Sequence, residues 1–184
     1  TVFCAELGDD EFSQKIIDGL LREKVDLSLV KRTPNKRSSL AIAINFQNER
    51  TLFVRHVERE HNLVLDNAQT KWVYLTSLGE EWVNAYSKTI DFVRKTECRL
   101  AFNPGTLQIA VGKKSIENIL SITDVLFVNK EEGETLLMIN DKGLMINDLL
   151  NKLKELGPKI VVITDGPNGS FAIDDKGNIS KRGI

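Results

Sequence analysis

The residues of this chain that could do chemistry fall at regular places. Asn129 and Glu132, three apart in "DVLFVNKEE", follow a run of branched and aromatic residues, and Thr164, Gly166 and Gly169, in "IVVITDGPNG", follow another. Thr76-Ser77 and "NPGT" (Asn103 to Thr106) stand at equivalent points after "WVYL" and "RLAF". An asparagine at a helix start with a glutamate three residues on is a capping box, in which each side chain satisfies an amide the helix leaves unpaired. The same carboxylate, at the end of a strand, suits Mg2+ held through water beside a phosphate. Both readings stay open, since a cap also fixes the direction of a side chain. In "TDGPNG" two glycines three apart let the backbone turn tightly and approach a ligand, and Thr164 offers a hydroxyl. An ordinary turn between strands would use the same residue types. Neither a Walker A sequence nor G-x-G-x-x-G occurs in the chain.

Four short apolar runs, "WVYL", "RLAF", "VLFV" and "IVVI", lead into these residues, and helical stripes separate them. Trp82, Tyr86, Ile90 and Val93 make one stripe; Ile116, Ile119 and Leu120 make a second; Ile146, Leu149, Leu150, Leu153 and Leu156 make a third, ended by Gly157-Pro158. Alternating strands and helices with wholly apolar strands predict a parallel sheet covered on both faces. In an open parallel sheet, ligands bind beyond the carboxyl ends of the strands, where all four polar segments stand.

Upstream, "TVFCAELGDDEF" reads as the end of a strand and a turn, followed by a helix from Glu11 to Lys24 that buries Phe12, Ile16, Ile17, Leu20 and Leu21. Asp9 and Asp10 precede that helix, where an acid is stabilising in itself and a ligand contact is an open alternative. "SSLAIAINF" and "RTLFVRHV", joined through Gln47-Asn48-Glu49, predict a half-buried β-hairpin with Ile42, Ile44 and Phe46 on one face. The run "KRTPNKR" before it reads as a solvated loop, with a phosphate-binding patch as the rival. The final "IDDKGNISKRGI" reads as a hairpin turning at Gly177-Asn178. His56 and His61 have no carboxylate at metal-ligand spacing and are placed at the surface, and Cys98 is read as a small buried residue rather than a nucleophile. Both ends of the chain read as cuts through a domain.

With 184 residues, 41% of them hydrophobic, the chain can bury one sizeable core. Twenty-five lysines and arginines nearly cancel 26 aspartates and glutamates, so no global field draws nucleic acid or an anionic membrane. Cys4 and Cys98 match no metal or redox spacing, and no stretch reads as a signal peptide or a membrane span. A reducing, cytoplasmic setting is the expectation.

In order and spacing, "GDDEF…IIDGLLREKVDLSLV", "FNPGT", "DVLFVNKEE" and "KIVVITDGPNGSFAIDDKG" resemble the PfkB, or ribokinase-like, family of carbohydrate kinases, over essentially the whole chain. The most specific matches are N-x-x-E, at Asn129 and Glu132, and T-x-G-x-x-G, at Thr164, Gly166 and Gly169. The resemblance implies a three-layer α/β/α, Rossmann-like fold with a mostly parallel sheet and a small β lid, here at about residues 25–62. It implies transfer of the γ-phosphoryl group of ATP to a hydroxyl of a small sugar or nucleoside, with Mg2+. By similarity Asn129 and Glu132 would position Mg2+ and its water, while Thr164, Gly166 and Gly169 would contact the nucleotide. The lid would exclude water and could pair two subunits as a homodimer.

The departures bear on activity. The family's glycine-rich sugar-binding segment is missing, as is its G-A-G-D motif, whose aspartate is the base and whose amides form an anion hole. Ser13 stands where the family often has glycine. The 184 residues are therefore expected to be a partial kinase domain, inactive by themselves. The rival expectation is a nucleotide-binding module of the same fold without catalysis.

Overall fold

The computed structural model describes residues 1–47, 49–65, 68–139 and 144–183. The chain divides into two compact units, Thr1–Asp66 with Gly79–Lys88, and Asn67–Leu78 with Thr89–Ile184.

The second unit holds a six-stranded sheet in the order β10-β9-β8-β7-β6-β5. Strands β5 (Trp72–Leu75), β6 (Arg99–Phe102), β7 (Val125–Asn129) and β8 (Ile160–Thr164) are parallel, and they are the four apolar runs of the sequence. β9 (Ser170–Ile173) returns antiparallel to β8, and β10 (Ile179–Arg182) pairs with β9 through the turn at Gly177. In chain order the parallel strands are separated by α2 (Trp82–Thr96), of which the residues from Thr89 on belong to this unit, α3 (Thr106–Ala110), α4 (Lys113–Leu120), α5 (Lys130–Leu136) and α6 (Ile146–Lys154). Each predicted stripe is a helix face: Ile116, Ile119 and Leu120 are buried on α4, and Leu149, Leu150 and Leu153 are fully buried on α6. Each such leucine contributes about 1.5–3 kcal/mol of apolar transfer. Gly157, at φ +121, ends the chain's run after α6, as a left-handed stop should.

The two faces of the sheet are covered unequally. Register puts Leu75, Phe102, Leu126, Val161 and Ile173 in one row, and all are buried. The alternate row is not sealed among the described residues: Trp72 is 44% and Tyr74 61% exposed, and Val125, Phe127 and Val162 are half-buried. Successive strand residues point to opposite faces, so an apolar strand does not by itself prove that both faces are covered.

In the first unit, β1 (Val2–Leu7) pairs in parallel with β2 (Asp26–Arg32), and α1 (Glu11–Arg22) connects them. The helix is where the periodicity puts it, but its stripe is not buried. Phe12, Ile16 and Leu21 are exposed, Ile17 and Leu20 are half-buried, and Ser13 is its one buried residue. β3 (Leu40–Phe46) and β4 (Glu49–Arg55) form the expected hairpin, with Ile42 opposite Phe53 and Ala43 opposite Leu52. The expected half-burial fails: Ile42, Ile44, Phe46, Leu52, Phe53 and Val54 are all at least 50% exposed, so both faces of the hairpin carry open apolar side chains. Asn48, in the predicted turn, lies outside the described residues.

Candidate functional site

Because β5 to β8 are parallel, their carboxyl ends share one edge, and the polar segments of the sequence meet along it. Asn129 and Thr164, the last residues of β7 and β8, are register partners. Both are exposed. Two of the residues singled out from sequence thus stand side by side.

The capping box is built. Asn129 Oδ1 accepts the Glu132 amide at 2.7 Å, and Glu132 Oε2 accepts the Asn129 amide at 2.8 Å. The carboxylate is fixed at the amino end of α5, where the helix-start amides favour negative charge. Among the described residues no group of three or more histidine, cysteine, aspartate or glutamate side chains could cage a metal. One fixed carboxylate fits a hydrated Mg2+ that takes its other oxygens from water and phosphate, and does not fit an all-protein cage.

"TDGPNG" is a turn between antiparallel strands, with residues Gly166–Asn168 in one 3-10 turn. Asp165 N donates to the Gly169 carbonyl at 2.9 Å, and Asn168 N to the Asp165 carbonyl at 2.9 Å. The two glycines differ in what they do. Gly169 (φ +89) is buried, and a Cβ there would lie 2.2 Å from the Arg182 carbonyl oxygen, so β10 forbids a side chain. Gly166 (φ +46) is exposed, and a Cβ would meet nothing within 4 Å. Only Gly166 borders open space that a ligand could use.

Asn103, the first residue of the "NPGT" segment, and Gln108, which carries no motif, organise the neighbouring loops. Asn103 Nδ2 donates to the Phe127 carbonyl on β7 at 2.8 Å, and its own amide donates to Leu75 O on β5 at 2.9 Å. Gln108, fully buried, accepts from the Gly105 amide at 3.2 Å and donates to Leu78 O at 3.0 Å. Gly105 fits so closely that a Cβ would lie 2.2 Å from Ser77 Cβ. For Gln108 the one signal in the sequence is a glutamine among the apolar residues of a helical turn.

Asp9 and Asp10 have structural duties within the first unit. Asp10 caps α1 by accepting the Ser13 amide at 3.0 Å, and its second oxygen accepts the Ser38 amide at 2.8 Å. Those amides, Ser38 first, pull its carboxyl from an ordinary 3.8 down to about 2. Asp9 Oδ2 accepts the Asn35 amide, which ties down the "KRTPNKR" loop. His56 is exposed, whereas His61 is half-buried and its pKa is lowered, chiefly by desolvation. Cys98 is buried, as expected, and both cysteines are free thiols.

The family model of the pfkB family carbohydrate kinases matches residues 1–182. The chain belongs to the pfkB family of carbohydrate kinases. Among curated proteins, Probable fructokinase-7 of Arabidopsis thaliana is 25% identical over 186 residues, which cover 92% of this chain and 54% of that protein. The pfkB chain thus spans about half the length of the curated relative it matches. A ribokinase from Giardia lamblia superposes with a TM-score of 0.74 at 19% identity, over 100% of this chain and 58% of that one. An E. coli protein described as a ribokinase II, solved with ATP and Mg2+, superposes with a TM-score of 0.75 at 15% identity, over 99% of this chain and 61% of that one. The fold is ribokinase-like α/β. No helix among the described residues is long and apolar enough to cross a membrane.

Proposed function

We propose that this chain supplies the nucleotide side of an ATP-dependent kinase whose acceptor is a hydroxyl of a small sugar or nucleoside. The observation that carries the proposal is the pairing of Asn129 with Thr164 at one sheet edge, with Glu132 locked to Asn129. The ribokinase II solved with ATP and Mg2+ supports the nucleotide and metal by analogy of fold.

In this reading Asn129 and Glu132 hold the water shell of Mg2+, and Thr164 and the open side of Gly166 face the nucleotide. Bound Mg2+ would supply charge neutralisation between phosphates. Phosphoryl transfer asks the protein chiefly for positioning and electrostatic stabilisation, and a carboxylate fixed by a backbone amide needs no reorganisation as charge develops. Gly169 keeps the turn in place through its contact with β10 and would touch nucleotide only through its backbone.

The aspartate base expected of a G-A-G-D motif is absent from the 184 residues, so the chain alone is proposed to be inactive. The second reading is a nucleotide-binding module of the same fold without catalysis. The exposed apolar hairpin is proposed to serve as lid and to pair with a second copy, in a reducing, cytoplasmic setting consistent with the two free thiols. Screening the full-length protein with ATP against D-ribose, D-fructose, a hexose phosphate and adenosine tests the kinase reading. Turnover of one acceptor supports it, and nucleotide binding without turnover of any favours the module.

A further inference from the structure

We infer that Asn103 is a positioning residue for the Mg2+-binding end of β7, a role that rests on the nucleotide-side reading above. Strand β7 is supported unequally on its two sides. Towards β8 its pairing runs to the last residue, Asn129 opposite Thr164. Towards β6 its pairing stops at Leu126, opposite Phe102, because β6 then leaves the sheet into Asn103-Pro104. The last three residues of β7 would have an open edge on that side. The Asn103 side chain takes up one acceptor of that edge: Nδ2 donates to the Phe127 carbonyl at 2.8 Å, beyond the last register pair with β6.

Asn103 can do this because its own position is fixed twice. Its amide donates to Leu75 O at 2.9 Å, and the proline after it restricts it to extended backbone. One residue therefore links the end of β5, through its backbone amide, to β7, through its side chain. Phe127 lies two residues before Asn129, the residue whose amide holds the Glu132 carboxylate. A tilt of the strand end would move cap and carboxylate together, so the effect of losing Asn103 belongs to the metal-dependent part of nucleotide binding and not to nucleotide affinity as such.

The test measures ATP binding by titration calorimetry to the full-length protein, once with excess Mg2+ and once with EDTA, together with Tm. In Asn103→Leu, the tightening that Mg2+ gives falls by about 10-fold, the usual scale for losing a group that orients a metal-site residue. Affinity in EDTA stays within about 2-fold of wild type in this account, for the reason that the metal-free contacts are not displaced. Thr123→Val, which loses a buried hydroxyl bond to Ile119 O remote from the edge, lowers Tm and keeps the full Mg2+ effect. If Asn103→Leu does not fold, Asn103→Ala is read by the same criterion. An unchanged Mg2+ effect in a folded Asn103 variant, or equal losses with and without Mg2+, overturns the role. Failure of the wild type to bind ATP overturns the nucleotide reading itself, and the role with it.

Discussion

Asn129 and Glu132 cap each other: the asparagine oxygen takes the glutamate's amide at 2.7 Å and the glutamate oxygen takes the asparagine's at 2.8 Å. The reciprocity means that stability and chemistry can be separated at this pair. Asn129→Ala removes the better-known half of the cap and should cost about 1 kcal/mol. Urea unfolding measures it, and a cost near zero would mean the box contributes nothing to folding.

The two glycines of the β8–β9 turn should respond differently to one added methyl group. Gly169→Ala places a Cβ against the Arg182 carbonyl at a backbone conformation nearly reserved for glycine, and should cost more than about 2 kcal/mol. Gly166→Ala meets only the left-handed backbone penalty, about 1 kcal/mol. Equal losses of Tm in the two variants would contradict the assignment of Gly166 to the open side of the turn.

Acid should loosen the first unit through Asp10. Its carboxyl is depressed in the folded state, so the stabilisation is fully present above its ordinary 3.8 and is lost as pH falls towards about 2. The urea midpoint of wild type should therefore fall across that window more steeply than that of Asp10→Asn. Parallel curves for the two proteins would remove Asp10 as the cause.

Six large apolar side chains of the β3–β4 hairpin are at least half exposed. If the hairpin pairs with a second copy, Ile44→Ser with Phe53→Ser should shift the full-length protein from dimer to monomer in sedimentation velocity at micromolar concentration. Wild type that stays monomeric at the same concentration would rule out the pairing.

Much of this was legible in the residues because the signals are local. Strands β5 to β8 are runs of branched and aromatic residues, the α6 stripe ends at Gly157, and the cap is written in the spacing of Asn129 and Glu132. What was not legible depends on register. The sequence cannot say that β6 stops pairing with β7 at Leu126, so the reach of Asn103 to Phe127 was invisible, as was the tie that Gln108 makes between Gly105 and Leu78. Periodicity tells which side chains share a face and not what packs against it, so the exposure of Phe12, Ile16 and Leu21 on α1, of the hairpin, and of Trp72 and Tyr74 on β5 is not readable from it. "TDGPNG" was readable as a turn, yet only the geometry separates the packed Gly169 from the open Gly166.

The central claim is that Glu132 does more than cap α5, and Glu132→Gln tests it most directly, because glutamine keeps an acceptor for the Asn129 amide while losing the charge. In the full-length protein, with ATP, Mg2+ and the acceptor found by screening, kcat should fall by about 10-fold or more while Tm stays within a degree or two. Wild-type kcat in this variant would leave Glu132 a helix cap and nothing more.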